Sequence, residues 1–238
     1  EYDRRVHPKY NEKMEYAPQP LACMLDADTY LVRIPSCSGQ NPTYAWVDSV
    51  AQTYKRMNCP YLILDIRGNS GGNDAIWEPF LEILADHQPK KPWRVLFRNT
   101  PMNREVLMKQ GNTNIVERAR QSKAQFVPLS EENNNEDMPF IASHLKKAAI
   151  LVDSRTASSG ETLARFIKDY CHRGKIYGQD NTSGANLSGN IAPFQLPHSG
   201  ITCYYPVCVD EDFALVCKTK EIGIKPDIKI PISLPVSL

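Results

Sequence analysis

Three hydroxyls and a carboxylate crowd the six residues Thr156-Ala157-Ser158-Ser159-Gly160-Glu161. A serine at the start of a helix, with glycine leaving room beside it, can act as the nucleophile of acyl transfer. The helix dipole and unpaired N–H groups there favour a developing oxyanion. The same spacing also fits a capping box, in which the Ser158 hydroxyl and the Glu161 carboxylate satisfy orphan N–H groups at a helix start. Both readings stay open on these six residues alone. A second stretch, Arg67-Gly68-Asn69-Ser70-Gly71-Gly72-Asn73, is a glycine-rich turn whose backbone N–H groups could face a bound anion. Its spacing is not GxGxxG and no Gly-Lys-Ser/Thr follows, so it is no nucleotide-phosphate cradle. A tight turn needing positive φ accounts for the glycines equally well.

The flanking residues predict what positions these turns. Ala148-Ala149-Ile150-Leu151-Val152 is a short apolar run, read as a buried strand, and it enters the serine turn. Leu163, Phe166, Ile167 and Tyr170 follow at i, i+3, i+4, i+7, the face of an amphipathic helix. The glycine turn is framed in the same way, by a strand at Tyr61-Leu62-Ile63-Leu64-Asp65-Ile66 and a helix around Trp77, Phe80, Leu81 and Leu84, with Pro79 in its first turn. Upstream, Tyr30, Val32 and Ile34 alternate as a strand, and Val47, Val50, Ala51, Tyr54 and Met57 form a helical face after Pro42. A strand at 94–98 is expected, with two helical stretches in 103–123 broken near Gly111 and an acidic surface loop at 131–137. A strand at 175–178, a loop at 180–186 and strands near 191–196, 201–205 and 213–217 complete an α/β (α+β) pattern. Residues 1–19, rich in charge and proline, read as a linker or trimmed end, and residues 20–238 as one domain.

Composition narrows the function. The 238 residues are 42% hydrophobic and 23% charged, an ordinary globular balance. Lys plus Arg number 28 against 27 Asp plus Glu, a net charge of +1, which argues against a nucleic-acid partner. No apolar run reaches the roughly 20 residues of a membrane span. Seven cysteines without a CxxC pair predict no zinc site and, by default, reduced buried thiols, with at most a disulfide such as one within Cys203, Cys208 and Cys217. No cofactor or metal is expected.

Three stretches in this order resemble peptidase family S41, the carboxy-terminal processing (tail-specific) proteases with their tricorn-core and retinoid-binding relatives: Leu62 to Gly72, Thr156 to Glu161, and Gly223-Ile224-Lys225-Pro226-Asp227. Tyr30 to Pro35 and Leu196 to Ile201 add to the likeness. The resemblance implies a ClpP/crotonase-like ββα-spiral core and a serine endopeptidase acting on polypeptides. It places the nucleophile at Ser158 and the oxyanion donors at the N–H of Ser159 and of Gly71 or Gly72. Serine–lysine members carry their base in a Gly-Lys-Gly segment, where this chain has Ser183-Gly184-Ala185. That departure points to the tricorn-like branch, whose base is a histidine N-terminal to the core, supported by a glutamate near the terminal motif, here Glu221. His7 and His198 are the candidate bases; His87, His144 and His172 read as loop or helix-surface residues. A PDZ or helical domain preceding Glu1 and a periplasmic or secreted location are further expectations from the family. The alternatives are an inactive S41-like module binding a peptide or hydrophobic ligand, and an acyl-CoA enzyme, for which no adenosine-phosphate motif is found.

Overall fold

A computed structural model describes residues 19–88, 94–129, 144–212 and 222–230. Contacts divide the chain into two compact units, one of residues 1–89, 138–184 and 223–238, the other of residues 90–137 and 185–222.

The first unit is built on a six-stranded sheet in the order β1-β2-β3-β6-β7-β10. Its strands are β1 (Leu21–Met24), β2 (Thr29–Arg33), β3 (Tyr61–Asp65), β6 (Lys147–Val152), β7 (Gly174–Gly178) and β10 (Ile228–Lys229). Only β1 runs antiparallel to its neighbour; the other pairings are parallel. Parallel strands covered on both faces are expected to be apolar throughout, and Leu62, Leu64, Ile66, Ile150 and Val152 are buried accordingly. Helix α1 (Tyr44–Arg56) buries Val47, Val50, Ala51 and Tyr54, and Thr43 Oγ1 caps it by accepting from Trp46 N at 3.2 Å. Helix α5 (Ser159–Tyr170) buries Leu163, Ala164, Phe166 and Ile167, while Tyr170 stacks on Phe166 at 4.7 Å. Register aligns Arg33 with Asp65, Asp65 with Leu151 and Leu151 with Tyr177. The carboxyl ends of four strands therefore finish together, the edge at which open α/β sheets place their sites. Both the glycine turn and the serine turn start there.

The expected helix over residues 77–84 is not one helix. Asp74–Ile76 and Glu78–Phe80 are separate 3₁₀ turns, Pro79 lies in the second, and only Leu81–Leu84 is α-helical (α2). Asn73 Oδ1 caps the first turn by accepting from Ala75 N at 3.0 Å, and Pro79 has no N–H to donate to Ala75 O, so an unbroken α-helical ladder does not run through the segment.

The second unit carries an antiparallel sheet in the order β5-β4-β9-β8, from β4 (Val95–Arg98), β5 (Phe126–Pro128), β8 (Ser188–Gln195) and β9 (Thr202–Asp210). Helices α3 (Pro101–Lys109) and α4 (Thr113–Gln121) separate at Gly111, whose φ of 82° ends α3. Phe97, Leu107, Val116 and Val207 form this unit's own core. The strand expected at 213–217 lies outside the described residues. Cys203 and Cys208 are free thiols, and Cys217 lies outside the described residues.

Candidate functional site

Ser158 sits between β6 and α5 with φ 48° and ψ −119°, one of two non-glycine residues at positive φ among those described. An L-residue held there costs on the order of 1–3 kcal/mol and persists only where its surroundings fix it. What fixes it is a close approach of the glycine turn. A Cβ on Gly71, itself at φ 101°, would lie 2.5 Å from Ser158 Cβ and 3.1 Å from its Oγ, so only glycine fits.

Asn69, fully buried at the base of the glycine turn, ties the two turns together. Its carbonyl accepts from Ala157 N at 2.8 Å, and its Oδ1 accepts from Gly71 N at 2.8 Å. Its Nδ2 donates to Ile34 O at 2.9 Å. Thr156 Oγ1 adds a donation to Ile66 O at 3.0 Å. Of the two glycines expected to supply a donor, Gly71 thus has its N–H engaged by Asn69. The Gly72 N–H donates to no described residue.

The serine pair is divided by environment. Ser159 is buried, and its carbonyl and hydroxyl each lie 3.2 Å from Trp77 Nε1. Ser158 is half-buried. Glu161, one turn into α5, is 1% exposed, yet its carboxylate is well solvated by protein donors. It accepts from Ser158 N at 3.2 Å, Thr182 Oγ1 at 2.5 Å and Gly184 N at 2.7 Å. The carboxylate half of the capping box is therefore present, and it extends to the 182–184 loop, a role the Ser-x-x-Glu spacing gave no sign of. Thr182 passes the connection on. Its Oγ1 accepts from Ile224 N at 2.7 Å and its N–H donates to Ile224 O at 3.1 Å. A Cβ on Gly223 would stand 2.1 Å from Thr182 O, which explains that glycine. Asp227, the last residue of the terminal motif, accepts from Ile176 N at 2.8 Å, delivering β10 to the sheet edge. All three motifs singled out in the sequence thus meet in this unit.

The remaining candidates are distributed otherwise. Glu221 and His7 lie outside the described residues. His198 is exposed in the β8–β9 connection of the second unit. His144 packs against Tyr54 with ring centroids 4.9 Å apart and planes tilted by 36°, and His87 and His172 are paired with Asp86. Lys168, in the last turn of α5, reaches Asp227 at 3.4 Å. Beside the turns, a cleft of about 770 Å³ opens at the strand ends, lined among others by Arg33, Arg67, Asp153 and Arg155. Ser158 is not among its lining residues. Two of its guanidinium groups are held from behind by one buried carboxylate: Asp65 binds Arg33 and Arg67, each at 2.8 Å. Burial pushes the Asp153 carboxyl upward, but donation from Gly68 N and Arg155 outweighs it and the group ends below its ordinary value.

A strained serine at the amino end of a helix, pressed by a glycine turn from the next strand of a parallel sheet, resembles the sharp strand-to-helix turn that presents a hydroxyl in some hydrolases. The profile of peptidase family S41 matches residues 28–230, and the chain belongs to that family. A sequence search of curated proteins finds no match. Among solved structures, mature CPAF complexed with lactacystin is similar with a TM-score of 0.59 and 17% identity, over 85% of this chain and 47% of that one. The photosystem II D1 C-terminal processing protease gives 0.51 and 21%, over 93% and 47%. A lipoprotein from Streptococcus agalactiae gives 0.51 and 20%, over 92% and 67%. The chain spans about half the length of the first two. No helix among the described residues is long and apolar enough to cross a membrane.

Proposed function

We propose that residues 20–238 are the catalytic domain of a serine endopeptidase of the tricorn-like branch, hydrolysing polypeptides through an acyl-enzyme on Ser158. The observation that carries this reading is the positive-φ Ser158 packed against Gly71. Ser158 Oγ attacks the scissile carbonyl carbon while a base takes its proton. The carbonyl oxygen becomes an oxyanion that accepts from Ser159 N–H and Gly72 N–H, the Gly71 N–H being spent on Asn69. Collapse of the tetrahedral intermediate breaks the C–N bond, and the base returns the proton to the leaving amine. Water then hydrolyses the ester by the same route. The base is a histidine from the segment N-terminal to β1, with His7 this chain's own candidate, and Glu221 is its supporting carboxylate. Ala185, standing where serine–lysine members have their base, favours this assignment over a lysine. A tail-specific action and a periplasmic or secreted location follow from the family.

The test is labelling by a fluorophosphonate probe. Wild type and Ser159→Ala should label and Ser158→Ala should not. Equal labelling of wild type and Ser158→Ala overturns the nucleophile. No labelling of a folded wild type by probe, together with no peptide hydrolysis, replaces the enzyme reading with that of an inactive binding module.

A further inference from the structure

Away from the serine turn, Asp86, His87 and His172 bring one ligand atom each within 4.8 Å of one another, the one such group among the described residues. Asp86 and His87 follow α2, and His172 follows α5. His87 Nδ1 lies 2.8 Å and His172 Nδ1 3.2 Å from the same oxygen, Asp86 Oδ1. The other oxygen, Oδ2, is held by Arg173, through Nε at 3.0 Å and the backbone N at 3.2 Å. His172 N also donates to Oδ1, at 2.9 Å. The carboxylate is therefore an oriented anion, with one oxygen fixed by a guanidinium and the other turned to two imidazoles, the way outer partners prepare a metal-binding carboxylate.

From this geometry we infer that Asp86, His87 and His172 form a binding site for a divalent first-row transition ion such as Zn²⁺ or Co²⁺, with Asp86 Oδ1 and the two imidazole Nδ1 atoms as ligands. Two imidazoles and one carboxylate suit such borderline ions better than Ca²⁺ or Mg²⁺, which take oxygen ligands. The 2.8 and 3.2 Å separations are close to the edge lengths of a coordination polyhedron with bonds of about 2.0–2.2 Å. Capture requires one movement. The two rings are stacked, with centroids 3.5 Å apart and planes at 19°, so no single point lies in both ring planes near the two nitrogens. The His172 side chain is 76% exposed and can turn out of the stack, bringing its Nδ1 lone pair to bear on the ion. Three protein ligands leave at least one position for water. Bound there, the ion would fasten the end of α5 to the segment after α2, which Asp86 already joins by donating its N–H to Tyr170 O at 2.9 Å. The inference does not rest on the peptidase reading.

The experiment uses the full chain, stripped with EDTA and dialysed, and titrated with Co²⁺ by visible absorption and with Zn²⁺ in competition with a chromophoric chelator. One equivalent should bind, with bands of nitrogen and oxygen ligation. His172→Ala should weaken binding at least about tenfold with no loss of metal-free thermal stability, since that ring is exposed. His172→Asp, which supplies a carboxylate oxygen as ligand in place of the imidazole, should recover most of the affinity. His87→Ala should match His172→Ala. Unchanged affinity in His172→Ala, thiolate-to-cobalt charge transfer pointing to the cysteines, or no saturable binding at all would each overturn the site.

Discussion

Asn69 needs to touch no substrate, yet its partners include the carbonyl of Ile34, the amide of Ala157 and the amide of Gly71. At the residue scale the candidate site is a matter of close approach, and Gly71 carries the tightest one. Gly71→Ala would put a methyl 2.5 Å from Ser158 Cβ on a backbone at φ 101°. We expect hydrolysis of a peptide substrate to fall by at least about 100-fold, because the methyl displaces Ser158 and a misplacement of about 1 Å costs on that order. Denaturation in urea should show a stability loss of only about 1–3 kcal/mol, the cost of a single strained residue. A fall in stability with hydrolysis intact would mean that the glycine serves the turn alone. Glu161 is the second sensitive point, since its oxygens face donors on three sides. Glu161→Gln turns one amide NH₂ toward a donor that then has no acceptor, at a cost of about 1–3 kcal/mol. Thr182→Val removes a donor from the carboxylate and the acceptor of Ile224 N, so the double variant should destabilise by less than the sum of the singles, read from a double-mutant cycle in urea.

At the scale of elements, Asp153 is the residue that turns β6 into the serine turn. Its carboxylate accepts from Gly68 N at 2.9 Å, Arg155 N at 3.1 Å and Thr156 N at 3.0 Å, so both turns hang on one ionised group. Because its folded pKa is depressed, the unfolded chain binds the proton first. The stability it supplies is fully present above the ordinary carboxylate value of about 4 and is lost as pH falls through the lower folded value. The stability gap between wild type and Asp153→Asn should therefore be constant from pH 7 to about 5 and shrink below about pH 4; a gap independent of pH down to acid unfolding would refute the charge assignment. These interactions explain what the sequence made legible among the elements. Strands β3 and β6 and helices α1 and α5 carry their periodicity in buried apolar residues, and each lies within a residue or two of its expected span. Strands β1 and β5 went unread because one is a half-buried edge without alternation and the other has three residues, too few for a period. The 3₁₀ turns after Gly72 read as helix because their apolar residues have helical spacing, whereas Asn73 and Pro79 decide the backbone locally.

For the whole molecule, the sequence suggested one domain because the chain carries no linker composition at the crossings near residues 90, 137, 185 and 222. Division into units is a property of long-range contacts, which periodicity does not report. The serine turn, glycine turn and terminal motif were legible because each contains a glycine or serine with a stereochemical duty; the network of Asn69, Glu161 and Thr182 was not, since buried polar residues are recognised only by partners distant in sequence. The two units also have distinct cores. Tyr54, Leu64, Phe80 and Ile150 belong to the first, and Phe97, Leu107 and Val207 to the second. Since each hydrophobic cluster draws on its own unit's residues, a cavity cut into one should be felt first in that one. Ile150→Ala and Leu107→Ala, at sites 0% and 1% exposed, should each cost roughly 2–5 kcal/mol. In a Trp93→Phe background, where intrinsic fluorescence comes only from Trp46 and Trp77 of the first unit, Ile150→Ala should lower the fluorescence transition, while Leu107→Ala should broaden the calorimetric heat-absorption profile and leave that fluorescence midpoint nearly unmoved. Equal displacement of a single sharp transition by both variants would show that the chain unfolds as one cooperative block.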